Sequence, residues 1–212
     1  MKLLLIALGR LLLRLRYRIR VEGLEELQTR GQGGILFLPN HPSLMDPVIL
    51  YTQLYGRFRP RALADRDRVG SRLVARLADA FGVITMRDPG AYGAAAREDV
   101  AQAMEACGRV LREGGNVLLY PAGHLQKHRL EEVGGNSAVE TLLALAPETR
   151  IVLVRTRGLW GSRFSWARGQ RPALGREMKP AIWRVLANLI FFTPRRPVTI
   201  AFVEPEGFPR KE

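Results

Sequence analysis

This chain of 212 residues has a single cysteine, Cys107. One thiol closes no internal disulfide and builds no zinc cluster. It sits in "REDVAQAMEACGRVLREGG", whose pattern is helical, so it reads as core packing ahead of a nucleophile; such cysteine usage fits a reducing compartment. The chain lacks an apolar run of the roughly 20 residues that a spanning helix needs. Its first residues, "MKLLLIALGRLLLRLRYRIR", begin like a signal peptide, but Arg10 interrupts the run and no small-residue cleavage site follows. The expectation is a protein that is soluble or lies on a membrane surface. No internal repeat and no low-complexity linker occur. No G-x-S-x-G elbow is present, and neither an RNP, a KH nor a zinc-finger pattern appears. Acidic residues are the scarcer sign of charge: 20 Asp plus Glu stand against 33 Lys plus Arg, a formal +13. Lysine occurs only at Lys2, Lys127, Lys179 and Lys211, so the positive charge is mostly arginine.

The rest is ordinary for a folded domain, with 47% hydrophobic and 25% charged residues. A basic surface calls for an anionic partner: nucleic acid, an anionic membrane, a phosphorylated substrate or an acidic carrier protein. Residues 1–13 predict a short apolar amphipathic helix on a membrane surface, and residues 14–212 a single domain. From Arg14 to Val21 arginines alternate with apolar residues, the period of a strand with one wet face. "GLEELQTRGQGG" reads as a loop. Strands are predicted at 35–38, 61–67, 83–87, 117–120, 151–156 and 198–203. Helices are predicted over "PVILYTQLYG", "SRLVARLADAFG" (ended by Gly82), "AAAREDVAQAMEACGRVLREGG", "NSAVETLLALA" and "MKPAIWRVLANLIFF". Strands alternating with helices predict one α/β domain with a mostly parallel central sheet flanked by helices. In such sheets, sites gather at the carboxyl ends of the strands. Four loops follow strands in this way: "PNHPSLMD", "RDPG", "PAGHLQKH" and "TRGLWGSRFSW". They are expected to converge on one edge.

The first of these loops holds His41 and Asp46. Asp46 before Pro47 has the form of a helix cap with proline in the first turn, and on that account His41 is simply a loop residue. The same residues also have the form of a general base and the carboxylate that orients it. The start of the following helix would offer backbone N–H groups to a developing negative charge. With no nucleophile in view, such a base would activate a hydroxyl or water of the substrate.

"NHPSLMD" resembles the N-H-x-S-x-x-D signature of the glycerolipid acyltransferase family, which includes the 1-acylglycerol-3-phosphate acyltransferases. Later stretches follow in the family's order. "GVITMRD" resembles its second block, "VLLYPAGHLQ" its third and "RIVLVRTRG" its fourth, while "RYRIRVEGLEEL" resembles the segment before the first. The resemblance implies acyl transfer from an acyl-thioester, acyl-CoA or acyl carrier protein acting as co-substrate, to a lipid hydroxyl, with no further cofactor and no acyl-enzyme. It implies that His41 is the general base and Asp46 its orienting acid, that Arg87 meets an acceptor phosphate, and that Gly123 lines the thioester or oxyanion region by its backbone. Asn40, Ser43, Tyr120, Pro121 and His124 are the other expected substrate contacts. The third block departs from the family: its Glu falls on Ala122 and its Arg on Leu125, so the phosphate of the acceptor loses two expected partners. His124, Lys127, His128 and Arg129 stand next to these positions. His124 and His128 have no acidic or thiol partner at metal spacing, so no metal is expected.

Two regions read as interfacial: the N-terminal helix, and residues 156–192, where Trp160, Phe164, Trp166 and Trp183 interleave with arginines. For the second, the alternative is a core-facing stripe of Trp183, Leu186, Leu189 and Ile190. The reading is a peripheral enzyme at the cytoplasmic face of an anionic membrane that acylates a lysophospholipid. The competing readings are a non-phosphate lipid alcohol as acceptor, an inactive lipid-binding domain, and a basic nucleic-acid-binding domain; nucleic acid is not the expected partner.

Overall fold

The computed structural model describes residues 1–69, 72–87, 92–133, 137–170, 172, 174–191 and 194–209. Its strands are β1 (Tyr17–Glu22), β2 (Ile35–Pro39), β3 (Arg61–Asp65), β4 (Ile84–Met86), β5 (Val117–Leu118), β6 (Arg150–Arg157) and β7 (Arg196–Val203). They form one sheet in the order β1-β7-β6-β2-β5-β3-β4. All neighbours are parallel except β6 and β7, which pair antiparallel with Arg157 opposite Thr199. The helices are α1 (Lys2–Arg16), α2 (Leu24–Thr29), α3 (Asp46–Phe58), α4 (Arg72–Phe81), α5 (Ala94–Arg112), α6 (Ala138–Leu145) and α7 (Leu174–Phe191). The expected α/β class and mostly parallel sheet are what the chain adopts.

Strand β2 is central and buried along its whole length. Successive side chains of a strand point to opposite faces, so "ILFLP" feeds two cores. Ile35 and Phe37 join a cluster with Ile49, Leu50, Leu54 and Phe58 of α3. Leu36 and Leu38 join Met104, Cys107 and Leu111 of α5 and Leu142 of α6. The result is a sheet between two helical layers. Cys107 is a core residue, as expected, and burial pushes its thiol up to about 12.

Two boundaries differ from the sequence reading. The period-two pattern starts as a strand only at Tyr17; Arg14 and Arg16 belong to the last turn of α1. Leu13 and Ile6 are buried and Arg10 donates to the Thr52 and Gln53 carbonyls of α3 at 2.7 and 3.1 Å, so one face of the N-terminal helix packs on the domain. The "GLEELQTRGQGG" segment is not all loop, because Leu24 and Leu27 lie one turn apart and both bury, which makes α2. Gly82, expected as a helix stop, follows α4 with φ +69.

At the sheet end away from the site, Arg150 grips Glu204 with two hydrogen bonds of 2.7 and 2.8 Å and holds the Gly31 carbonyl at 2.9 Å. This clip joins the start of β6, the end of β7 and the turn leading into β2. The Arg150 guanidinium holds the Glu204 carboxyl below its ordinary value of 4.5. A lowered carboxylate stabilises the fold above its unfolded pKa and loses that contribution as pH falls through its folded pKa. Glu204→Gln is therefore expected to cost about 1–2 kcal/mol at pH 7. The cost should shrink toward zero in acid; urea melts of both proteins from pH 7 to pH 3 check this, and a difference independent of pH would contradict it.

Candidate active site

The loops after β2, β5 and β6 meet at the carboxyl edge of the sheet. His41 leaves β2 and turns back on Asp46, the first residue of α3. Its Nδ1 lies 3.0 and 3.2 Å from the two Asp46 oxygens. Asp46 is 1% exposed and receives two further hydrogen bonds, from the Tyr120 hydroxyl at 2.8 Å and the Ser43 N–H at 3.1 Å. Burial pushes its carboxyl up; the His41 charge, then hydrogen bonds from His41, Tyr120 and Ser43, pull it back. The Tyr120 phenol is pushed well above its usual range by burial and by Asp46, so it stays a donor. Its ring packs 4.5 Å from the His41 ring.

An Asp46 carboxylate that accepts from Nδ1–H fixes the tautomer in which Nε2 carries the lone pair. Among the described residues, Nε2 has no hydrogen-bond partner. The arrangement has the geometry that a general base and its orienting acid require.

The other expected contacts fall into different places. Asn40 locks β2 to β6: its amide donates to the Thr156 carbonyl at 3.1 Å and its oxygen accepts the Thr156 N–H at 2.7 Å. Ser43 has no exposure, accepts the Met45 N–H and faces the Ser162 hydroxyl at 3.4 Å. Both brace the loop through these bonds; Ser43 is fully buried, while Asn40 keeps partial exposure. Pro121 and Gly123 form the turn after Tyr120; Gly123 has φ +67 and its N–H closes the turn on the Tyr120 carbonyl at 3.0 Å. At the approach to the helix, the N–H groups of Ser43, Leu44, Met45 and Asp46 all have acceptors within the loops, and Pro47 has no N–H to offer. His124 is exposed in the same turn as Gly123.

Arg87 stands apart. It makes a bidentate pair with Asp99 of α5 at 2.6 and 3.0 Å. It follows β4, three strands from β2, or roughly 14 Å at about 4.8 Å per strand. The structure therefore does not bring Arg87 against His41. Asp88 and the remainder of "RDPG" lie outside the described residues.

Glu131 is the residue that sequence reasoning missed. Its carboxylate accepts the His41 backbone N–H at 2.8 Å, and the Gln126 N–H reaches the His41 carbonyl at 2.8 Å. The loop after β5 thus holds the backbone of His41 on both sides. Burial pushes the Glu131 carboxyl up, while the hydrogen bond and charge of His41 oppose this. Where the family carries Glu and Arg, Ala122 and Leu125 are both buried. A carboxylate returns to the site nine residues beyond Ala122, through a turn that no spacing rule announces. Among the described residues, no three His, Cys, Asp or Glu side chains cluster as a metal site.

With this geometry in hand, comparison with known proteins is informative. The family model described as Acyltransferase matches residues 18–155, more than half of the chain. The chain belongs to the acyltransferase family. No protein of curated function matches the sequence. The fold is similar to the crystal structure of the 1-acyl-sn-glycerophosphate (LPA) acyltransferase PlsC from Thermotoga maritima, with a TM-score of 0.57 and 14% identity. That match covers 91% of this chain and 64% of the other, so the chain spans less than two thirds of that protein's length. At this identity the likeness establishes a shared fold. Within the family match lie both His41 and Asp46, together with Tyr120 and Glu131.

Proposed function

We propose that this member of the family is an O-acyltransferase that works at a membrane surface and moves a fatty acyl group from an acyl-thioester to the hydroxyl of a lysophospholipid. The observation that carries the reading is the His41–Asp46 contact, with Nε2 left without a partner among the described residues. His41 Nε2 takes the proton of the acceptor hydroxyl, and the oxygen attacks the thioester carbonyl. The tetrahedral intermediate collapses with cleavage of the C–S bond, and the imidazolium returns its proton to the leaving thiolate. Asp46, in direct contact, stabilises the imidazolium, and Glu131 adds a second carboxyl in its field. Direct transfer agrees with the side chains present: Ser43 is fully buried beside Asp46, and Cys107 lies in the core. The thioester is that of acyl-CoA or an acyl carrier protein.

The surface supports attachment to a bilayer. Leu4, Leu8, Leu11 and Leu12 of α1 are exposed, and so are Ile182, Trp183 (72%) and Leu186 of α7. Trp183 and Leu186 thus face outward rather than into the core; the side chains of Leu189 and Ile190 lie outside the described ones, and Phe164 is buried. Among the described residues no helix is long and apolar enough to cross a membrane. Apolar side chains beside arginines suit the headgroup level of an anionic bilayer.

The test is thiol release from long-chain acyl-CoA and acyl carrier protein with a panel of lysophospholipids and non-phosphate lipid alcohols. Turnover with a lysophospholipid is expected. Turnover confined to non-phosphate alcohols would favour the second acceptor class, to which the apolar Ala122 and Leu125 positions point. Absence of transfer to every acceptor would overturn the reading.

A further inference from the structure

One face of the sheet is covered over only part of its width. Tyr17, Ile19 and Val21 of β1, Val198, Ile200 and Phe202 of β7, and Val152 and Val154 of β6 pack into the core shared with α1, α2 and α3. Successive strand residues alternate in direction, so Arg18, Arg20, Thr199, Ala201, Arg155 and Arg157 point to the opposite face. On that face the core with α5 and α6 takes Ile151 at the start of β6 and, among the described residues, none from β1 or β7. Leu153 is 40% exposed and Val203 56%, and Arg18, Arg20, Arg155, Arg157 and Pro197 are exposed as well. A surface of three strands is left open beside the helical layer.

Strand register shapes this surface into a trough. Arg20 of β1 and Arg157 of β6 stand on either side of Thr199 in β7. Arg18 is beside Pro197, and Arg155 is beside Ala201. Val203 and Leu153 face each other and make one end apolar. The middle strand thus offers small or apolar residues, and the outer strands carry arginines along both sides. The arginine rows are two strand spacings apart, roughly 10 Å, close to the diameter of an α-helix with its side chains. From Pro197 to Val203 the trough runs roughly 20 Å, the length of about 13 helical residues. Among the described residues, Arg18, Arg155 and Arg157 have no carboxylate partner. Arg20 has Glu22 at 3.0 Å, in an exposed pair of the kind that contributes little. Like charges set out without counter-charges favour an anionic partner.

We propose that this surface docks an acidic protein, which lays an amphipathic helix along β7 with its apolar stripe on Pro197, Ala201 and Val203 and its carboxylates on Arg18, Arg20, Arg155 and Arg157. An amphipathic helix seats its apolar face in a groove through residues one turn apart, and guanidinium forks match carboxylates. A bilayer does not fit here. α1 packs on the opposite face through Leu13, and α7 packs against α1, so a membrane held by their exposed side chains leaves the trough to water. A second copy does not fit either, because the chain carries a formal +13 and self-docking would set arginine against arginine. Bases have no stacking platform, since the aromatic residues of these three strands, Tyr17 and Phe202, point into the core. The surface uses none of His41, Asp46 or Glu131 and is independent of acyl transfer.

The experiment is fluorescence anisotropy of the full chain with a labelled alanine-based helical peptide that carries a leucine stripe flanked by glutamates. The comparison probes are the same peptide with glutamines for glutamates, polyglutamate, and oligothymidine. The acidic helix is expected to bind roughly tenfold more tightly than each of the three. Arg155→Ser/Arg157→Ser should weaken it roughly tenfold, while the charge-matched pair Arg97→Ser/Arg109→Ser, exposed on α5, should change it less than about twofold. If the first pair fails to fold, Arg18→Ser and Arg155→Ser carry the test singly, each with a loss of roughly threefold. Sedimentation with phosphatidylglycerol vesicles should be the same for the parent and for Arg155→Ser/Arg157→Ser. Equal losses in the two arginine pairs, equal affinity for the glutamate and glutamine helices, or polyglutamate binding as well as the acidic helix would overturn the proposal. So would oligothymidine as the tightest probe, or vesicle binding lost in Arg155→Ser/Arg157→Ser, which would put nucleic acid or the bilayer on this surface instead.

Discussion

His41→Ala is expected to lower acyl transfer by about 10²–10⁴-fold, the usual contribution of a positioned general base. The geometry makes the effect that large because nothing replaces the imidazole. Tyr120 and Ser43 both donate to Asp46, and Glu131 is occupied by the His41 backbone N–H, which an alanine retains. The variant should fold, since the loop is held by backbone bonds from Gln126 and to Glu131 that do not involve the ring. Initial rates of thiol release, with circular dichroism melting as the control, measure it. A folded His41→Ala protein that keeps a tenth or more of its activity would remove His41 from the mechanism.

Asp46→Asn should lower turnover as well, by up to about 10⁴-fold, the drop seen when a His–Asp pair is forced into the wrong tautomer. The reason lies in a count of donors. Asp46 accepts from His41 Nδ1, the Tyr120 hydroxyl and the Ser43 N–H. A carboxylate has acceptor sites for all three; an amide has one acceptor oxygen and an NH₂ that must face something. If that NH₂ faces Nδ1, the ring carries its proton on Nε2 and has no lone pair for the acceptor hydroxyl. The change is nearly isosteric, and it removes a buried carboxyl whose burial is unfavourable to its charge, so stability should alter less than rate. The expected signature is a fall in kcat with little change in KM. Tyr120→Phe, which removes one donor and leaves the carboxylate, should cause a smaller loss. An Asp46→Asn enzyme as active as the parent would show that the contact is only a helix cap.

The features legible in the sequence were those with short spacing. The four-residue gap between His41 and Asp46 is spanned by one loop, so the pair is readable in one dimension, as are the buried runs of β2 and β6 and the stop at Gly82. Reversal of β7 was not readable: strand pattern reveals burial but not direction. Nor was Glu131, whose place depends on how the loop after β5 folds back on His41. Asn40 and Ser43 were readable as members of the loop, but their partners Thr156 and Ser162, more than a hundred positions away, were not.

By itself the sequence determined that this is an α/β domain with a histidine and an aspartate at a strand end, because apolar period and loop length are local properties. Tertiary structure decided that Nδ1 is the nitrogen turned to Asp46, that Glu131 joins the site while Arg87 pairs with Asp99 three strands away, and that a groove opens between α1 and α7. Those outcomes depend on strand order and direction, which bring residues far apart in the chain within bonding distance.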